Sequence, residues 1–320
     1  MAGGGNTPTV PSFTQFEFEI PWGNYTVGIY SATAIDATAP TVIDWGDGNE
    51  ESVVGDISQK THSYAAGGTY TVSISDNISS IAMSNGNGYS NNSYTLTKVL
   101  SLAEHVSTLP NSAFEKLTSL IYFNAGDSGA ALTLGESAFA NIGITGSAGN
   151  GNLDVDLSGR EITTLPYRLF FQSYYIHGVT LPSSLTTVAN GAFYACGNFT
   201  SELFDVVFPE GVSSIGDSCF EWCGGAKSVT IPSTVTSMGN RVFYGASKIS
   251  NLSVNRATAP TVGTNVFGFK FSESQNYLVG YESADTKTLK VPTGASGYTS
   301  GQWASPLCDA NAAGFTLEYV

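Results

Sequence analysis

Three histidines and several carboxylates are the residues of this chain with acid–base character. His62, His105 and His177 are far apart, and none belongs to an H-x-x-x-H or H-E-x-x-H pattern, which would place metal ligands on one helix. Asp154 and Asp156 are two residues apart, so both side chains lie on the same face of a strand. They are an acid/base pair in a hypothetical glycosidase, but surface carboxylates are the simpler interpretation. We predict that the chain is not an enzyme and uses no cofactor.

A second group of carboxylates comes from one short segment, Asp44, Asp47, Glu50 and Glu51. Carboxylate oxygens are hard ligands that suit Ca²⁺. Turns also favour Asp because its side chain accepts hydrogen bonds from the nearby backbone. The turn is the simpler interpretation, and we predict no metal site.

Four cysteines are too few for a disulfide scaffold in a chain of 320 residues. Cys196 and Cys223 each follow a phenylalanine, Phe193 and Phe220, by three residues. These two segments are consecutive copies of a repeated unit, and stacking of the copies would bring the two cysteines about 5 Å apart. A disulfide between them stays open, against the alternative of two buried, apolar thiols. Cys219 and Cys223 have no second pair or nearby histidine, which argues against zinc. Cys308 is isolated.

The composition restricts the partners of the chain. The formal net charge is −14, with 12 basic and 26 acidic residues, so nothing provides the Lys/Arg stripe that a phosphate backbone requires. This charge balance disfavours nucleic acid and anionic membrane as partners, and we expect no nucleic-acid partner. A charged fraction of 12% with 36 glycines is typical of a turn-rich, β-rich extracellular protein.

The first residues carry neither the basic region nor the apolar region of a secretion signal, and no apolar stretch is long enough to span a bilayer. We predict a flexible N-terminal tail over 1–12 and no direct membrane insertion. The expected location is extracellular or at the cell surface. The alternative is a virion, into which the protein would be incorporated during assembly.

A repeated unit dominates the chain after residue 94. Each copy ends in a phenylalanine that follows an apolar residue by five positions, and the copies recur every 23 to 31 residues. Such a period predicts a solenoid, in which each unit buries its apolar face against its neighbours. About seven units are present, with their phenylalanines at Phe114, Phe139, Phe170, Phe193, Phe220, Phe243 and Phe267.

The segment before the repeats has the alternation of half-buried antiparallel strands, as in Phe16, Phe18 and Ile20. Residues 42–48 (VIDWGDG) and 62–74 (HSYAAGGTYTVSI) resemble the polycystic-kidney-disease (PKD) type of immunoglobulin-like domain. The resemblance implies that Trp45 fills the core of a β-sandwich, that residues 46–48 form a tight turn, and that the histidine packs rather than reacts.

The repeats resemble the BspA-like class of leucine-rich repeat. The matching residues are Ile215-Gly216, Cys219-Phe220 and Cys223, and also Gly191-Ala192-Phe193 with Cys196. The resemblance implies a mainly β fold, with an N-terminal immunoglobulin-like β-sandwich followed by a BspA-type solenoid. The predicted boundaries are 13–93 for the sandwich, 94–268 for the solenoid and 269–320 for a C-terminal capping segment.

The same resemblance implies surface display and adhesion. We therefore expect a non-enzymatic recognition protein that binds protein or glycan on a host or neighbouring cell through its repeat face. The alternative is a bacteriophage virion protein, such as a head or tail decoration or a receptor-binding fibre, whose partners are other virion proteins.

Alternation along the predicted strands identifies outward residues as candidate ligand contacts. Those on the strand face are Tyr122, Asp154, Asp156, Thr180, Asp205, Ser228, Thr230 and Ser253, with Val99 and Val207 also expected to point outward. An aromatic loop adds Tyr174, Tyr175 and His177, as binding anchors or, alternatively, as packing residues at the edge of the core.

Overall fold

The computed structural model describes residues 13–84, 92–142, 152–198, 204–246, 248–267, 287–300, 303 and 315–320. The predicted tail over 1–12, Cys308 and much of the predicted capping segment lie outside these residues. Within them the chain is almost entirely β, with one helix of four residues, and no helix there is long and apolar enough to cross a membrane.

The N-terminal part forms eight strands in antiparallel pairs. β1 pairs with β7, β7 with β4, β4 with β5, β2 with β6, and β3 with β8. The predicted alternation in the first strand is confirmed, because Phe16, Phe18 and Ile20 are buried. The strands are β1 Phe13–Ile20, β2 Tyr25–Gly28, β3 Ser31–Ala34, β4 Pro40–Asp44, β5 Glu50–Val54, β6 Thr61–Tyr64, β7 Gly68–Ser75 and β8 Ile78–Ala82.

Trp45 organises the core of this part, as expected. The His62 ring stacks on the Trp45 ring with centroids 5.1 Å apart, and the Tyr64 ring meets His62 edge-on at 4.8 Å. The Tyr64 hydroxyl donates to the Trp45 carbonyl at 2.8 Å, and His62 Nε2 lies 2.8 Å from Asp47 Oδ2. The histidine therefore packs and orders a turn, which is the role expected of it.

Each later coil contributes one longer strand to one wall and a two-residue strand to the other. After the helix α1 Asn92–Thr95, the longer strands are β9 Leu96–Ser101, β11 Tyr122–Asn124, β13 Leu153–Asp156, β15 Ile176–Thr180, β17 Phe204–Val207, β19 Ala226–Ile231, β21 Asn251–Val254, β23 Lys287–Val291 and β24 Phe315–Tyr319. The two-residue strands are β10 Thr108–Leu109, β12 Thr133–Leu134, β14 Thr164–Leu165, β16 Thr187–Val188, β18 Ser214–Ile215, β20 Ser237–Met238 and β22 Thr261–Val262.

The repeat phenylalanines form one stacked column through the solenoid. Successive rings from Phe114 to Phe267 have centroids 5.0 to 5.8 Å apart and lie within 28° of parallel. The apolar residue five positions before each phenylalanine is also buried. Because every core position repeats once per coil, the predicted ladders are confirmed. Trp303 and Phe315 contact Phe267 at 5.6 and 5.9 Å.

The turn around each phenylalanine uses left-handed backbone. The residue two before each ring has φ between 55° and 64°, as at Arg168, a conformation that costs a side-chain-bearing residue about 1 kcal/mol. This conformation lets backbone N–H groups point to the next coil. The Arg168 N–H donates to the Asn190 carbonyl at 3.1 Å, and the Phe170 N–H donates to the Ala192 carbonyl at 2.9 Å. These hydrogen bonds between coils offset the strain.

A glycine is required where consecutive coils approach closely. A Cβ on Gly216 would lie 2.5 Å from Asn190 Oδ1 of the preceding coil and 2.6 Å from its backbone nitrogen. The Asn190 side chain in turn accepts from the Asp217 N–H at 2.9 Å. The glycine of the repeat thus makes room for an Asn/Asp column that pairs with the backbone.

The N-terminal strands continue into both walls of the solenoid. β1 pairs antiparallel with β9, giving the sheet order β15-β13-β11-β9-β1-β7-β4-β5, and β8 pairs with β10 in the order β12-β10-β8-β3. The first coil consequently has no open edge on these walls, and the buried side chains form one continuous core. The strands β17, β19, β21, β23 and β24 form a separate parallel sheet.

Candidate functional site

The longer strands arrange their outward residues in two rows that run across the coils. Because the strands are parallel and in register, equivalent positions are neighbours about 5 Å apart. The first sheet places side by side Lys98, Tyr122, Asp154 and Gly178 in one row, and Asn124, Asp156 and Thr180 in the other. The second sheet does the same with Asp205, Ser228, Asn251 and Thr288, and with Val207, Thr230, Ser253 and Lys290.

The most structured part of this surface is a cluster over three coils, Tyr122, Asp154 and His177. Tyr122 is the register neighbour of Asp154, and Asp154 that of Gly178. A Cβ on Gly178 would lie 2.7 Å from Asp154 Oδ1, so the glycine lets the carboxylate lie over the next strand. There Asp154 Oδ1 is 2.8 Å from His177 Nδ1, with the two side chains 54% and 31% exposed. The pair is fixed in position yet accessible to a ligand.

His177 was predicted on a loop, and that assignment is wrong. It lies in β15, where the residues before it, Tyr174 and Tyr175, lead into the strand. The four aromatic residues in the preceding segment, 170–175, conceal the short β-strand in the sequence. Both tyrosines are half-buried, which is compatible with either the binding or the packing interpretation.

The remaining predicted contacts are polar and locally ordered. Asp156 Oδ1 accepts from the Ser158 N–H and hydroxyl, at 2.9 and 2.7 Å, which closes a turn. In the second sheet the Ser228 hydroxyl donates to Asp205 Oδ1 of the preceding coil at 2.5 Å. Thr180 is exposed, and Thr230 and Ser253 are half-buried register neighbours. The predicted residues therefore divide between two sheets rather than converging on one cleft.

Val99 was expected to point outward, and the structure corrects this. Its side chain is fully buried, and Lys98 is the half-exposed neighbour. The register of β9 is set by its pairing with β1, which includes irregularities that alternation cannot anticipate. Val207 does point outward and is 60% exposed.

The carboxylates of the N-terminal turn serve the turn itself. Asp44 Oδ1 accepts from the Gly46 N–H at 2.9 Å, and Asp47 Oδ1 accepts from the Asn49 N–H at 3.1 Å. Glu51 accepts from the Trp45 indole at 3.2 Å. Within the described part of the chain, no three His, Cys, Asp or Glu side chains are grouped as metal ligands.

Cys196, Cys219 and Cys223 are buried free thiols, so the structure contains no Cys196–Cys223 disulfide. The Cys196 thiol donates to the Phe170 carbonyl at 2.9 Å. Burial raises the pKa of all three thiols, that of Cys223 to about 11. They pack as small apolar residues.

Arg160 is a structural residue that the sequence did not reveal. It is 2% exposed and donates to backbone carbonyls of two preceding coils, including Ala103 at 3.3 Å and Ala125 at 3.2 Å. Burial lowers the pKa of Arg160, while the charges of Glu104 and Asp76 raise it. The only sequence signal is that the segment from Leu157 to Ile162 is one residue longer than the one from Leu181 to Leu185.

Stacked coils with a strand wall, a two-residue strand wall and a phenylalanine column define a leucine-rich-repeat solenoid. The chain belongs to the BspA-type leucine-rich repeat family, whose model matches residues 69–155, 89–201 and 163–278 in six copies. A comparison with curated proteins finds no match.

Three solved structures are similar. A leucine-rich repeat protein of T. pallidum is 21% identical over 60% of this chain and 82% of its own, with a TM-score of 0.41. A leucine-rich cell surface protein of Faecalibacterium prausnitzii is 18% identical over 53% and 57%, with a TM-score of 0.30. A leucine-rich repeat protein of Bacteroides ovatus is 13% identical over 70% and 84%, with a TM-score of 0.26.

Proposed function

We propose that this chain is a non-enzymatic recognition protein of the cell surface or extracellular space, and that it binds protein or glycan on a host or neighbouring cell through the outward rows of its strands. The observation that carries the proposal is the cluster of Tyr122, Asp154 and His177. An aromatic ring, a carboxylate and an imidazole lie side by side on a rigid sheet, and such a surface suits recognition by several weak contacts.

The sheet supports this role physically. Its side chains are held by hydrogen bonds between coils, as between Asp205 and Ser228, so a ligand orders few of them on binding. The rows extend over several coils, which suits an extended or flat partner rather than a small substrate. For the same reason we propose that Asp154 and Asp156 are not a glycosidase pair, and Asp→Asn changes at both should leave any hydrolysis of glycans unchanged.

We propose that the N-terminal strands are a PKD-like, immunoglobulin-like sandwich. The packing of Trp45 with His62 and Tyr64 beside the 44–48 turn supports it. In this chain the sandwich also covers the first coil through β1 and β8. We infer that it stabilises the strand face, and we retain 13–93, 94–268 and 269–320 as the proposed divisions.

The test is binding by the full chain to arrays of extracellular-matrix proteins and glycans, followed by the double variant Tyr122→Ala/Asp154→Asn. We expect this variant to weaken binding to the captured ligand at least tenfold, since central aromatic contacts commonly contribute more than about 1.4 kcal/mol. Glu136→Gln removes one negative charge from an exposed position outside the rows and should bind as the unmodified chain does. Equal binding by both variants would refute the strand face as the site.

Immunogold labelling of producing cells tests the location and separates the virion alternative. Label at the cell surface supports the proposal. Label on phage particles would replace it with the virion role.

A further inference from the structure

A second surface lies on the turns that follow the two-residue strands. We define the turn face as Tyr167, Arg168, Phe171, Tyr194, Trp222 and Tyr244. The Arg168 guanidinium lies over the Tyr167 ring at 4.9 Å and over the Phe171 ring at 4.5 Å. The Phe171 ring also stacks on Tyr194 of the next coil, with centroids 5.2 Å apart. The guanidinium and the three rings thus form one contiguous group of contacts.

Arg168 is exposed and has no carboxylate partner among the described residues. The equivalent arginine three coils further along, Arg241, is different: it forms an ion pair with the buried Glu221 and lies over the Tyr244 ring at 4.2 Å. Arg168 is one of only 12 basic residues against 26 acidic ones in the chain, and its guanidinium contacts two rings. Its stacking fixes the planar fork that binds a carboxylate through two N–H groups.

The rest of the turn face is aromatic and hydroxylated. Tyr167 is 40% exposed and Trp222 37% exposed, and Trp222 meets Tyr244 edge-on at 5.4 Å. Burial and the Glu221 charge raise the pKa of Tyr194, while the charges of Arg241 and Arg168 lower it, so both guanidiniums act at this hydroxyl. Rings with hydroxyl tips offer flat faces and edges to sugar C–H groups and hydrogen bonds to sugar hydroxyls.

The size of the turn face favours an oligosaccharide over a protein. It crosses four coils, and three spacings of about 4.8 Å give a length of about 15 Å. A standard protein interface buries about 800 Å² on each partner, and a strip about 15 Å long is short for such an interface. The length suits a few sugar units, one for about each coil.

We propose that the turn face binds a carboxylated oligosaccharide. The Arg168 guanidinium holds the carboxylate through paired N–H donors, and the Tyr167 and Trp222 rings contact the sugar rings. The site is separate from the strand rows, so it deepens the proposed recognition function without depending on the strand cluster.

The test is calorimetric titration of the full chain with trigalacturonate, its methyl ester and sialyllactose, with lactose and a hexaglutamate peptide as comparisons. Both acidic sugars should bind more tightly than their neutral counterparts. Arg168→Gln should weaken acidic-sugar binding about tenfold to a hundredfold, the loss expected for charge-assisted hydrogen bonds. Arg168→Lys keeps the positive charge but lacks the planar guanidinium, so its affinity for acidic sugars should lie between those of the unmodified chain and Arg168→Gln.

Two controls isolate the site. Lys227→Gln removes one positive charge from an exposed position on β19 and should leave the affinity for acidic sugars unchanged. Asp154→Asn alters the strand cluster and separates the two sites: acidic-sugar binding that changes in Asp154→Asn but not in Arg168→Gln would place the sugar on the strand rows and overturn the turn-face site. Binding that is equal for acid and ester, unaffected by Arg168→Gln, absent for all sugars, or restricted to the peptide would overturn the proposal.

Discussion

Arg160→Met should destabilise the first coils of the solenoid strongly. The guanidinium donates to six backbone carbonyls, and its bonds to Ala103, Ala125 and Val106 are fully buried. Methionine fills much of the same volume but donates no hydrogen bond. The Ala103 carbonyl keeps a hydrogen bond from the Val106 N–H at 3.2 Å, whereas the Ala125 and Val106 carbonyls lose their donor. Each buried carbonyl left unpaired costs about 1–3 kcal/mol, so these two together cost about 2–6 kcal/mol. Removing a buried charge recovers part of this cost as desolvation penalty, which leaves a net loss of about 1–3 kcal/mol.

The assay is guanidinium denaturation followed by circular dichroism, with amide hydrogen exchange as a local readout. The midpoint should fall in Arg160→Met, and exchange should accelerate over 103–106 and 125–132, where the carbonyls that accept from Arg160 lie. Arg256→Met is the matched control, because Arg256 donates to a single exposed carbonyl, Ser233, at 3.0 Å, and should lose about 0.5 kcal/mol. If the two variants shift the midpoint equally, or if exchange is unchanged in both segments, carbonyl pairing does not explain the buried arginine.

Three further outcomes are expected. Phe193→Ala removes a ring from the middle of the column and should cost about 3–5 kcal/mol in chemical denaturation, and a loss below 1 kcal/mol would contradict tight stacking. Gly216→Ala should cost about 1–3 kcal/mol because its methyl group would overlap Asn190, and unchanged stability would show that the coils separate freely. Hydrogen bonding and charge from Asp76 raise the pKa of His105, so this pair stabilises the fold at low pH and the contribution disappears as pH rises through the folded-state pKa. An NMR titration should show the His105 pKa falling in Asp76→Asn, and an unchanged value would refute the pairing.

The core of each coil was predictable because its signals are local. An apolar residue five positions before a phenylalanine repeats along the chain without reference to anything distant, and in four of the seven copies a glycine follows that apolar residue. The same holds for Phe16 and Phe18, since alternation specifies which side chains of the first strand are buried. The outward positions of the strand face followed from the same alternation wherever the strands are regular.

The candidate sites were less predictable because they depend on lateral register. His177 and Asp154 are in contact although they are 23 residues apart in the sequence, and Arg160 and Ala103 are in contact although they are 57 residues apart. Insertions of different length between the copies decide which positions become neighbours. The error at Val99 has the same origin, because pairing with β1 and not local alternation sets the register of β9.

By itself the sequence determined the repeat, its buried column and the mainly β class, because one coil's packing pattern is written in consecutive residues. Only the tertiary structure decided that the N-terminal strands merge with both walls of the solenoid and that a buried arginine joins three coils. It also decided that Arg168 lies over two rings, with no carboxylate partner in the described part of the chain. These features arise from contacts between coils. Such contacts depend on the stacking register, which insertions shift without changing the pattern of any single repeat.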